Sequence, residues 1–206
     1  MNNPLKKTRI FLFIVSAVHF GSASALAQTK DSIIHEPFMI WIDGGIGYSR
    51  DVSPGLQATA TPGGNYSKSG FNGLLRIRGS KNYFISIGLE TGWQFISSVS
   101  QQTPQTNINA TLSAIPVMGV VTLQDYNIEL HGSVGLCDLI SKATLFGNTV
   151  ISTEWDMTFS LAVSYEISIP GDYKIIPEFR WLRINDQQKS FLSLMIRFQL
   201  PQWSPF

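Results

Sequence analysis

Three side chains with the makings of a hydrolytic site lie within five residues of one another: Glu129, His131 and Ser133. A carboxylate, an imidazole and a hydroxyl are the types that relay a proton and attack an acyl carbon. A spacing of two puts all three on one face of a strand and scatters them around a helix. On a strand, alternate residues stand about 6 to 7 Å apart, beyond the roughly 2.6 to 3.2 Å that proton relay requires. The expectation is therefore a structural role for these residues and no catalytic set. Asp43-Gly44-Gly45-Ile46-Gly47 hints at a nucleotide-binding turn, but it lacks the third glycine spacing and a following helix. Asn65-Tyr66-Ser67 and Asn109-Ala110-Thr111 match a glycosylation pattern that is frequent by chance. His35, beside Glu36, lies in a polar stretch and reads as solvated. Cys137 is the single cysteine, which rules out a disulfide framework and a cysteine metal site; no cofactor or metal is expected.

The chain around these residues has 206 positions, 44% of them hydrophobic and 14% charged, with 15 basic against 14 acidic side chains. That charge content is low, and the even balance offers no basic stripe for nucleic acid. The first 27 residues form a separate unit. Lys6, Lys7 and Arg9 precede an apolar run from Ile10 to Phe20, and a small-residue stretch ends in Ala25-x-Ala27. The run is too short to span a bilayer, so the segment reads as a removed secretory signal, and no cysteine follows it to accept a lipid. Residues 28–37 read as a polar periplasmic lead.

From Phe38 onward the sequence alternates with period two. Eight segments, each rich in β-branched and aromatic residues and bounded by turn residues, run to about Leu200. The segment from Thr153 to Ile169 shows the pattern best: Trp155, Met157, Phe159, Leu161, Val163, Tyr165 and Ile167 oppose Asp156, Thr158, Ser160, Ala162, Ser164 and Glu166. No helix makes two faces so uniform. Residues 51–67, 97–109 and 140–152 read as longer loops, rich in Ser, Thr, Gln, Asn and Gly. Tighter turns, such as Asp125-Tyr126 and Pro170-Gly171-Asp172, separate them. Long loops on one side and tight turns on the other suit an up-and-down barrel crossing an outer membrane. Pro116 and Pro177 fall inside segments, where bulges are expected.

Each segment is long enough to cross a hydrocarbon core at a tilt, which takes about 9 to 11 residues. An open sheet in lipid would leave backbone groups unpaired, so the expected fold is a closed, eight-stranded antiparallel barrel over residues 38–200, with 201–206 as a tail. The apolar faces would look outward. Tyr48, Tyr83, Trp93, Trp155, Tyr165, Tyr173 and Trp181 lie toward segment ends, as membrane-interface aromatics do. The opposite faces bring together Asp43, Glu90, Glu129, Asp156, Glu166 and Glu178 with Arg76, Arg78, Lys174, Arg180, Arg197 and His131. In so narrow a barrel this reads as a paired internal network and not an open channel.

The pattern as a whole resembles the small eight-stranded outer-membrane barrels of Gram-negative bacteria, the OmpA and OmpX type. The Ser113-Ala114-Ile115-Pro116-Val117 opening is similar to the outer membrane protein beta-barrel domain within that superfamily. The resemblance implies an integral outer-membrane protein, monomeric, in contact with lipid and with the insertion machinery, and engaging an unknown surface ligand. It also implies a terminal aromatic insertion signal, for which Phe198 and Phe206 both qualify. Two other classes fit the alternation. One is an outer-membrane enzyme acting on envelope lipids, and the other a soluble lipocalin-like barrel whose apolar face lines an internal cavity.

Overall fold

The computed structural model describes residues 38–53, 64–81, 84–103, 106–145, 148–185 and 188–204. Among these residues eight antiparallel strands close into a ring: β1 (Met39–Asp51), β2 (Ser69–Ser80), β3 (Ile85–Thr103), β4 (Thr106–Asp125), β5 (Ile128–Leu145), β6 (Asn148–Tyr165), β7 (Tyr173–Ile184) and β8 (Lys189–Gln199). Every strand pairs with its neighbours in sequence. β8 returns to β1 in the register Asp43↔Gln199 through Asp51↔Phe191, which closes the barrel. Gly64–Ser67 pairs with β3 beyond the start of β2, and Ile167–Ile169 continues β6 along β7.

The period-two alternation is realised as two faces of one wall. Leu161 is 59% exposed and Ile46 76%, whereas Arg76 and Arg197 are fully buried inside the ring. Tight connections follow from local chemistry. The turn after β4 places Tyr126 at φ 51°, and the turn before β7 places Gly171 at φ 87° and Asp172 at φ 61°, the left-handed region that glycine and aspartate tolerate best. Gly135 meets a different need: a Cβ there would lie 2.1 Å from the Val117 carbonyl oxygen, so only glycine lets β4 and β5 approach so closely.

Two expectations are corrected. Residues 97–109 and 140–152 are largely strand, not loop. β3, β4, β5 and β6 run for 18 to 20 residues, and the β3–β4 and β5–β6 hairpins project past the end of the ring. Their Ser, Thr and Asn side chains look like loop composition, yet nothing in them prevents an edge-on ladder. Second, neither proline carries a bulge. Pro116 stays in register with Cys137 and Pro177 with Ile196. On its other side each proline faces a short gap across which the register is kept, where its missing N–H would have donated. The register shift lies instead between Phe95 and Ser97 of β3. The tail is tied to β1: Ile40 N–H donates to the Trp203 carbonyl (2.8 Å) and Trp203 N–H to the Ile40 carbonyl (3.1 Å).

Candidate functional site

The barrel interior holds nine of the predicted charged residues in one connected cluster. Because inward positions recur every second residue, six of the strands deliver one or two of them each: Asp43 from β1, Arg76 and Arg78 from β2, Glu90 from β3, Glu129 and His131 from β5, Glu178 and Arg180 from β7, and Arg197 from β8. Arg76 donates to Glu90 Oε2 through Nε (2.8 Å) and NH2 (2.6 Å), while Arg180 grips the same carboxylate at 2.5 and 2.9 Å. Arg180 Nε also donates to Glu178 (2.9 Å). Arg197 reaches Asp43 (2.7 Å) and Glu129 (2.6 Å), and its Nε lies 2.8 Å from Glu178 as a charge contact without hydrogen-bond alignment. Arg78 donates to Glu129 (2.8 Å) and Gln199 (3.0 Å). Four guanidinium groups thus face four carboxylates. Burial of these ions is sustained only because each has partners on more than one strand.

His131 sits at the centre. Its Nδ1 lies 2.8 Å from Thr122 Oγ1, and its Nε2 lies 3.0 Å from Ser164 Oγ and 3.2 Å from Glu129 Oε2. The expectation that Glu129 and His131 stand too far apart to touch is corrected here, since both side chains bend toward the same point. Ser133 does stay apart; it pairs with Ser160 Oγ at 2.6 Å. The serine beside the imidazole is Ser164, from the neighbouring strand. It donates to Glu129 (3.0 Å), and Arg197 NH2 lies 3.0 Å away. Every member of this group is buried, so it is enclosed on all sides by its own partners.

The remaining charged residues lie elsewhere. Glu166 and Lys174 pair at 2.5 Å near the tight-turn end, joined by Gln124 at 3.0 Å. Asp156 is buried at the opposite end, level with Cys137. Tyr48, Trp93, Trp155, Tyr165 and Tyr173 are exposed on the outer wall, with Trp181 half-buried against Phe159; Tyr83 lies outside the described residues.

Sequence reasoning missed a second interior layer. Above the ions come Asn72, Gln94 and Ser49, linked by hydrogen bonds, and then a buried apolar cluster that includes Ile96, Met118, Leu139, Ile184 and Phe191. The signal was present. Leu182 and Ile184 continue the inward parity of Glu178 and Arg180, as Phe191 continues that of Ser193. A cavity of about 10 Å³ between Asn72, Glu90, Arg180 and Met195 lies in the interior, whereas an apolar groove of about 930 Å³ runs over the outer wall past Tyr48, Phe179 and Leu194. The apolar face is outside and the ions are inside, which inverts the lipocalin arrangement.

No protein-family model matches the chain, and no curated protein matches it in sequence. Among solved structures, Ail, the attachment invasion locus protein of Yersinia pestis, in complex with the heparin analogue sucrose octasulfate, is similar with a TM-score of 0.54. The identity is 12%, covering 80% of this chain and 99% of that one. Neisserial surface protein A gives a TM-score of 0.48 at 8% identity, covering 78% and 96%. The likeness to Ail shows the fold, an antiparallel up-and-down barrel of the outer-membrane kind.

Proposed function

We propose that the chain is exported with loss of residues 1–27 and crosses the outer membrane of a Gram-negative bacterium as a monomeric barrel, where its projecting sheet makes surface contacts. One observation carries this reading: the wall is apolar outside and ionic inside. A soluble barrel would leave the outward side chains of Ile46, Phe71, Leu161 and Leu194 in water, a far larger apolar patch than monomeric proteins tolerate. Lipid against that wall removes the penalty, and closure satisfies the backbone. The aromatics at strand ends suit the two lipid–water boundaries, and Phe198, stacked on Tyr173 at 5.3 Å between ring centres, suits the insertion signal.

The interior serves to hold the ring together. Its ions are mutually paired and its loop end is filled by the apolar cluster, so neither a conducting path nor a substrate-accessible His131 fits the geometry. Surface work then falls to the projecting sheet. Two cross-strand rows on one of its faces, Asn65–Ser100–Asn109–Thr144–Thr149 and Ser67–Ser98–Thr111–Lys142–Ile151, hold a single charge. Ail was solved with a sulfated sugar; a face with one cation favours a neutral partner here. The deciding experiment is a carbonate wash of outer membranes together with gel migration before and after boiling. Retention in the membrane and a heat-dependent shift are expected, and a soluble, unshifted chain would overturn the reading.

A further inference from the structure

At the loop end of the ring, Lys189 reaches Asp51 at 3.2 Å and Lys68 lies 5.6 Å from the centre of the Tyr66 ring. Two other cations there are unengaged. Arg50 continues the outward parity of Ile46 and Tyr48 on β1, and Arg183 that of Phe179 and Trp181 on β7. Both stand on the outer wall, Arg50 exposed and Arg183 half-buried with an Nε that has no hydrogen-bond partner. Among the described residues neither guanidinium meets a carboxylate, and the half-buried Ser190 hydroxyl of β8 makes no bond either. The three share one corner. Ser190 stands directly opposite Arg183 and diagonal to Arg50, which pairs with Leu192. Such neighbours lie about 5 Å and about 7 to 8 Å apart, a span that two arginine side chains close from either side of β8. Toward the tight turns come Leu192 and Trp181, then Tyr48, Leu194 and Phe179, where the apolar groove of about 930 Å³ begins; it runs on past Pro177 to Tyr165. Across the ring the outward charge is an acid, Asp138 of β5, paired with Trp155. The wall thus has a cationic corner and no cationic girdle.

We propose that this corner binds one phosphate-bearing lipid of the outer leaflet, its phosphate between Arg50 and Arg183 and an acyl chain laid in the groove. A guanidinium presents paired N–H donors that fit phosphate oxygens two at a time, and the Ser190 hydroxyl donates a further bond. Unpaired cations beside hydrocarbon are costly. A phosphate at the lipid–water boundary marked by Tyr48 and Trp181 neutralises both. A free phosphate ion meets only the charges, whereas a lipid meets the charges and the groove together. The inference rests on the membrane reading above and goes beyond it by assigning one wall site and its ligand class.

The test uses the full barrel in phosphatidylcholine nanodiscs, first checked for its heat-dependent gel shift. The probe is phosphatidic acid with a nitroxide midway along one acyl chain, and the readout is paramagnetic broadening of amide signals. Stronger broadening at Phe179 and Leu194 than at Val117 and Leu136 of the far wall is expected. Phosphatidic acid should be favoured there by about tenfold or more over equally labelled phosphatidylcholine. Arg50→Gln together with Arg183→Gln should remove the preference and keep the gel shift, since neither side chain holds a partner in the ring. Arg183→Lys should retain part of it, because an ammonium lacks the fork; Lys142→Gln, in the projecting sheet, should leave it unchanged. The proposal is overturned if broadening is even around the wall or if the double variant matches the parent. It is also overturned if labelled stearic acid binds equally, which assigns the corner to negative charge alone, or if equimolar inorganic phosphate displaces the probe, which assigns it to the free ion. A chain that fails to insert and shift overturns the membrane reading itself.

Discussion

The Arg197 guanidinium and the Glu129 carboxylate, 68 residues apart in sequence, meet at 2.6 Å in the barrel interior, both fully buried. β8 and β5 are not neighbours in the ring, so this bond ties together walls that share no ladder.

Arg197→Ala therefore leaves Asp43 and Glu129 each short of a buried partner. It should cost about 3 to 5 kcal/mol, the usual penalty for breaking a buried pair from one side. A urea titration of the barrel in lipid vesicles measures this, and a loss near zero would mean that the interior ions do not hold the ring.

Leu161→Arg on the outer wall should cost about 2 to 4 kcal/mol if that position faces the bilayer midplane. Thr153→Arg, on the same strand but in the projecting hairpin, should stay within about 0.5 kcal/mol. Equal effects in the same titration would remove the distinction between embedded wall and projection.

Phe191→Ala empties part of the apolar layer and should cost about 3 to 5 kcal/mol. Reconstituted into planar bilayers, the parent barrel should carry no steady current. Open-channel steps from the parent would contradict a filled interior.

Phe198→Ala should slow insertion and lower the amount of heat-shifting barrel recovered from outer membranes, whereas removal of Phe206 should not. The reverse pattern in a membrane fractionation would move the insertion signal to the last residue.

Much was legible in the strands themselves. Which side chains share a face follows from the period of two, a local property of extended backbone, and so Arg76 and Leu75 were separable without any knowledge of their neighbours. Loop boundaries were less legible, because Ser98, Ser100, Asn109 and Thr144 have the composition of exposed turns and also that of a water-facing ladder; only pairing distinguishes the two. Proline was read by its usual company of bulges, yet the consequence of a missing N–H depends on which neighbour that N–H would have faced.

The sequence by itself determined alternation, strand number and the sorting of charged from apolar faces, because these depend on residues two apart along one chain. Tertiary structure alone decided that Ser164 and not Ser133 meets His131 and that Asp156 stands away from the ion cluster. Such relations depend on the register and closure of the ring, which set which inward side chains from distant strands share a level, and no spacing along the chain encodes that meeting.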